Sequence, residues 1–234
     1  MNPRSRDLIA KAIAEPHRIL PALARRVAPS SRFGPNWLRT GDGSVTFREE
    51  GFVAAPSRPM LLARHNFESA YIRRLLDGVH AERSLEIGCG FGRLSPVFAE
   101  FSDAHLGVDI NPAALALART TYPDLEFRDS SVTALPFEDD RFGLISTWTV
   151  VQHVPPDRIE RAAAEILRVL APGGTLLICE ETRYPEAPGQ HTWHRAVDVY
   201  RELFAPLELL FEQDIHEIDR LAGMESPGHV MLFR

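Results

Sequence analysis

The segment Glu86-Ile-Gly88-Cys-Gly90-Phe-Gly92-Arg93 constrains the fold more than any other part of the chain. It follows a short apolar run, Ser84 to Ile87, and leads into helical spacing, so the chain leaves a strand, turns through three glycines in five residues and opens a helix. Glycines weaken a helix start without adding packing. Their use here is that bare backbone can approach a ligand at the carboxyl end of a sheet. Beyond the loop the pattern alternates: strands are expected at 84–87, 105–109, 125–127, 142–147 and 175–180, with helices at 92–101, 112–121 and 156–169. Pro155-Pro156-Asp157 starts the third helix and Ala171-Pro-Gly-Gly stops it before a strand at Thr175. Such alternation requires right-handed crossovers, and hence a doubly wound α/β domain with a mainly parallel sheet and helices on both faces. The tail adds a helix near 196–204 and two apolar runs, Leu207 to Phe211 and Val230 to Phe233, the last expected to close the sheet as an antiparallel strand.

Residues 1–75 precede this pattern and read as an N-terminal helical extension or lid, leaving 76–234 as the main domain. Apolar spacing broken at Pro16 and Pro21 predicts two short helices, the stretch around Arg48-Glu-Glu a small hairpin, and the stripe from Leu61 to Leu76 a further helix. At 234 residues the chain can bury one substantial core with an appendage. Its 44% hydrophobic and 25% charged residues exclude a disordered chain and a disulfide miniprotein. A net charge of -6 gives no general attraction to phosphate backbones, so nucleic acid is a disfavoured partner. Cys89 and Cys179 are too far apart in sequence to supply a zinc ligand set, and no metal is expected. Charged residues interrupt the N-terminal apolar positions, so a signal peptide and a bilayer span are not expected. The reading is a cytoplasmic monomer or homodimer with no membrane partner.

The loop spacing decides between nucleotide-like ligands. A dinucleotide pyrophosphate needs glycine at the first, third and sixth positions, and the sixth counted from Gly88 is Arg93. About 20 residues on, Asp109 ends the next strand, where its carboxylate can accept two hydrogen bonds from vicinal ribose hydroxyls. Asn111 with Pro112 can cap the following helix alone, which leaves Asp109 to the ribose.

The E-x-G-x-G-x-G pattern of Glu86 to Gly92 resembles motif I of the class I S-adenosylmethionine-dependent methyltransferases, Rossmann-like enzymes of the small-molecule type. Ser131-Val-Thr-Ala-Leu135-Pro-Phe resembles their adenine segment, with Ser131 where the family usually has an acid. Phe142-Gly143 through Thr147, Trp148, Gln152 and His153 resembles their fourth strand and its loop, with Gly143 where the family commonly has Asp. The resemblance covers residues 80–182 and implies S-adenosyl-L-methionine as cofactor. Glu86, Gly88, Cys89, Gly90 and Gly92 would wrap its methionine half, with Thr147 and Trp148 beside them. Asp109 and Ile110 would meet the ribose side, and Ser130, Ser131 and Val132, or Asp129, the adenine.

Methyl transfer from a sulfonium is an in-line displacement that loses positive charge in the transition state, so alignment and exclusion of water matter most. An acceptor hydroxyl or ammonium must also lose a proton, and histidine is the natural base near neutral pH. The candidates are His153, just after the fourth strand, and His191 and His194, in Gln190-His-Thr-Trp193-His-Arg195. That segment covers the acceptor pocket in relatives, and residues 1–75 with 183–200 are expected to form it here. The i, i+3 pair His191 and His194 could hold a metal with Glu180 or Glu181, but it lacks a fixed third ligand and reads equally well as a solvated surface. The expected function is methyl transfer to an oxygen or nitrogen of a small molecule. The alternatives are a cofactor-binding module without catalysis and, disfavoured by Arg93, a nucleotide-dependent oxidoreductase.

Overall fold

A computed structural model of the protein describes residues 58–182, 192–215 and 228–234. Helix α1 (Arg58–Leu75) leads into β1 (Ala81–Ile87), and the glycine loop connects β1 to the short helix α2 (Ser95–Phe98). Then come β2 (Ser102–Asp109), α3 (Pro112–Thr121), β3 (Glu126–Asp129) and β4 (Phe142–Trp148). Helix α4 (Ile159–Val169), β5 (Leu170–Glu181), α5 (Val197–Leu203), β6 (Leu209–Asp214) and β7 (Gly228–Phe233) complete the order. The two helices and the hairpin expected within residues 1–57 lie outside the described residues.

The seven strands form one sheet in the order β3-β2-β1-β4-β5-β7-β6. The pairs from β3 to β5 are parallel, and β7 runs antiparallel to both of its neighbours. The doubly wound α/β expectation therefore holds, including the antiparallel closing strand. What the apolar runs did not reveal is that the last strand inserts between β5 and β6, leaving β6 at the edge.

Alternate residues of the central strands feed two cores. Leu85, Ile87, Ile145, Leu176 and Ile178 join Ala162, Ile166 and Val169 of α4 and Tyr200 of α5 on one face. Leu144, Leu177 and Cys179 join Ile72 and Leu76 near α1 and Val97 and Phe98 of α2 on the other. This period-two division is what a sheet covered on both faces demands. Helix α1 thus belongs to the same packed body as the strands, and packing does not break at residue 76. Among the described residues no helix is long and apolar enough to cross a membrane.

Three boundaries differ from expectation for local reasons. Gly88, Gly90 and Gly92 hold φ of 72°, 55° and 81°, so the left-handed path runs through residue 92 and the α-helix waits until Ser95. The turn closed by the Arg158 N–H on the Pro155 carbonyl delays α4 to Ile159. Ala171-Pro-Gly-Gly does not separate helix from strand: β5 already starts at Leu170, and the four residues form an irregularity between the pairs Phe142 with Leu170 and Leu144 with Thr175.

Candidate functional site

Strand order reverses at β1, whose neighbours β2 and β4 leave in opposite directions, and a ligand crevice is expected beyond the carboxyl ends of such strands. A cavity of about 670 Å³ lies there, lined by the ends of β1, β2 and β4 and the loops that follow them. The glycine loop forms one wall. The Gly88 and Cys89 N–H groups both donate to the Val108 carbonyl, at 2.7 and 3.0 Å, which ties the loop to β2. A Cβ on Gly88 would sit 2.3 Å from Val150 Cγ2, so two cavity walls approach closely only because the position is bare. Gly92 meets a different constraint. A Cβ there would press on the Tyr122 ring at 2.9 Å, and the residue packs behind the cavity without lining it.

Asp109 lines the cavity, and its two carboxylate oxygens accept from the Gly90 and Asn111 N–H groups at 2.8 Å each. Burial pushes its carboxyl up from the ordinary value, while these N–H groups pull it down. Capping of α3 falls to Asn111, whose side-chain oxygen accepts from the Ala113 and Ala114 N–H groups at 3.0 and 3.2 Å. Beside it Ile110 lines the cavity while 70% exposed, a large apolar side chain with one face open.

Ser130, Ser131 and Val132 line the next stretch of wall; Asp129 does not. The Ser130 hydroxyl is buried without a hydrogen-bond partner among the described residues, a costly state that a polar group entering the cavity would relieve. The Ser131 hydroxyl instead bonds the Thr133 side chain at 2.9 Å. Gly143 lies in β4 with its Cα facing Ala81 of β1: a Cβ there would meet the Ala81 Cβ at 3.0 Å, so close strand packing accounts for the missing side chain.

Glu86, on the cavity wall, accepts from the Ser95 hydroxyl, with His105 Nε2 at 3.6 Å. Trp148 also lines the cavity, and its orientation is fixed by a residue the sequence reading did not single out. Its indole N–H donates to Glu68 of α1 at 2.9 Å. Glu68 accepts as well from Arg64 at 2.7 Å and from Arg93 of the glycine loop. Burial pushes the Glu68 carboxyl up, but the two guanidiniums outweigh it and hold it at about 2. One buried carboxylate therefore joins α1, the glycine loop and β4. The one signal in the sequence was Arg64 four residues before Glu68 on a helix.

The histidines separate. His153 lines the cavity, with Nδ1 3.4 Å from Thr192 Oγ1. His194 does not line it, and pairs with Glu181 at 3.2 Å. His191 lies outside the described residues. Trp193, between them, does reach the cavity. Thr147 is fully buried behind the wall and donates its hydroxyl to Glu180 at 3.1 Å. Among the described residues no three His, Cys, Asp or Glu side chains gather to hold a metal ion.

Residues 85–178 match the family model described as a methyltransferase domain. The chain is 32% identical over 109 residues to a demethylmenaquinone methyltransferase of Chlorobaculum tepidum, covering 46% of this chain and 44% of that one. It is 30% identical over 123 residues to a ubiquinone biosynthesis O-methyltransferase of Alkalilimnicola ehrlichii, covering 50% and 49%. The chain thus spans about half the length of these curated relatives. In fold it is similar to an S-adenosylmethionine-dependent methyltransferase of Mesorhizobium loti, with a TM-score of 0.59 at 18% identity over 70% of this chain and 96% of that one.

Proposed function

We propose that the protein, whose residues 85–178 match a methyltransferase domain, is a class I methyltransferase that moves the methyl group of S-adenosyl-L-methionine to an oxygen or nitrogen of a small-molecule acceptor. The observation that carries this reading is the convergence of the glycine loop, Asp109 and the unpartnered Ser130 hydroxyl on one cavity at the point where strand order reverses. Both relatives named above carry quinone-related names, which supports a small-molecule acceptor.

The residues present fit the cofactor. Asp109 keeps acceptor capacity beyond the Gly90 and Asn111 donors, available to a ribose hydroxyl. Ile110 offers an apolar face and Ser130 a hydroxyl for an adenine ring, taking over from the acid that relatives carry at Ser131. Arg93, on the same wall, has its buried Nε without a hydrogen-bond partner among the described residues, which suits an anionic group. When bound, the cofactor supplies a methyl group on a sulfonium, ready for in-line displacement. The chain then has to hold the acceptor in line and exclude water, for which Trp148, Val150, Val154 and Trp193 supply apolar walls. His153 is the base within this wall that can take the acceptor's proton. His194, tied to Glu181, serves the surrounding structure instead.

The test is incubation with methyl-tritiated S-adenosylmethionine and a panel of hydroxylated and aminated aromatic compounds. The wild-type protein is expected to label at least one, and His153→Ala to lower turnover more than cofactor affinity. Tight cofactor binding with no labelled product from any acceptor would favour a binding module over an enzyme.

A further inference from the structure

The turn that follows β4 carries Thr149, Val150, His153 and Val154 on the cavity wall, and it is not a conformation the chain adopts at no cost. Thr149 is β-branched yet holds a φ of 58°. Its N–H donates to the Cys179 carbonyl at 2.6 Å, which fixes the entry to the turn. The next three backbone N–H groups all point at one side chain. Glu180, fully buried on β5, accepts from Val150 at 3.2 Å, Val151 at 3.0 Å and Gln152 at 3.0 Å.

The carbonyls of the same turn are met by a second buried charge. Arg195 donates to the Val151 carbonyl at 3.1 Å, to the Trp193 carbonyl at 3.0 Å and to the Val154 carbonyl. The Trp193 N–H donates to the Gln152 carbonyl at 2.7 Å, so the 192–195 segment lies along the turn. A carboxylate on the N–H side and a guanidinium on the carbonyl side thus grip one short peptide segment, and neither residue lines the cavity. Each side chain satisfies several backbone groups of the turn at once, which apolar residues at the two positions could not do.

We propose that Glu180 and Arg195 act as one clamp that positions His153 and Trp193 at the acceptor side of the cavity. The acceptor side rests on the methyl-transfer reading above, whereas the clamp concerns the turn alone. They are positioning residues: they touch the backbone that carries the wall, and act on an acceptor only through it.

The test compares the full chain with Glu180→Gln, Arg195→Lys and the double variant. Amide exchange at residues 150–152, the His153 ring and Trp193 indole signals in NMR spectra, and calorimetric binding of S-adenosylhomocysteine are the readouts. Each single variant is expected to raise exchange at these amides about tenfold and to shift both ring signals, with S-adenosylhomocysteine affinity within about twofold of wild type. The double variant is expected to add little to the stronger single one, because either loss opens the same clamp. Arg195→Lys keeps the charge and serves if Glu180→Gln does not fold. Unchanged exchange and ring signals in a folded variant would overturn the proposal, as would strictly additive effects in the double variant. Failure of the wild-type protein to bind S-adenosylhomocysteine would count against the methyl-transfer reading alone.

Discussion

Asp109 and Asn111 sit two residues apart and divide two tasks that either could perform. Asn111 caps α3, and Asp109 is left facing the cavity with its remaining lone pairs. This division was legible in the sequence, because Asn before Pro at a helix start needs no second capping residue. Asp109→Ala is expected to weaken S-adenosylhomocysteine binding by about 2–3 kcal/mol, read by calorimetry on a variant whose thermal unfolding shows it folded. Glu68 was not legible, since Trp148 lies 80 residues away and only the fold brings them together. Glu68→Leu leaves two guanidiniums buried without their carboxylate, and should cost about 3–5 kcal/mol in urea unfolding. The sign with pH follows from its depressed folded value: the Glu68 contribution is present above the usual 4.5 and is lost as pH falls toward about 2.

At the scale of elements, the strands and α3 follow from period and capping, while the loops that carry chemistry follow from contacts distant in sequence. Gly88 was readable as a position needing bare backbone; that its Cβ would strike Val150 was not. Gly88→Val combines a φ of 72° with that collision, and is expected to abolish measurable S-adenosylhomocysteine binding, whereas Gly78→Ala, with open space around it, should leave binding unchanged. The β4–β5 pair shows the other limit. The sequence marks Glu180 as a polar residue at the end of a strand, and the stretch of turn it grips becomes visible only in the fold. Burial pushes the Glu180 carboxyl up from 4.5 to about 7, against the backbone N–H groups and the Thr147 hydroxyl that favour its charged form. A raised folded value means that this stability is fully present below the unfolded value and is lost as pH rises through about 7. Between about pH 5 and about pH 8.5 the wild type should lose roughly 3 kcal/mol relative to Glu180→Gln, as read from urea unfolding at both ends.

For the molecule as a whole, alternation of strand and helix was enough to specify a doubly wound sheet, and with it the edge where a ligand would bind. Loop spacing narrowed the ligand, because Arg93 stands where a dinucleotide loop needs glycine. Strand order in the tail stayed hidden, since two apolar runs of similar length do not say which pairs with β5. On the proposed acceptor side, His153 and the segment holding Trp193 were legible as candidates, but the Trp193 N–H donating to the Gln152 carbonyl of the turn after β4 was not. This cavity is expected to take an adenosyl amino acid and not a dinucleotide, and parallel calorimetric titrations with S-adenosylhomocysteine and NAD separate the two. S-adenosylhomocysteine should bind one-to-one, more weakly in Asp109→Ala, and NAD should give no heat. Binding of NAD with none of S-adenosylhomocysteine, or an affinity for S-adenosylhomocysteine indifferent to both Asp109→Ala and Gly88→Val, would contradict this expectation.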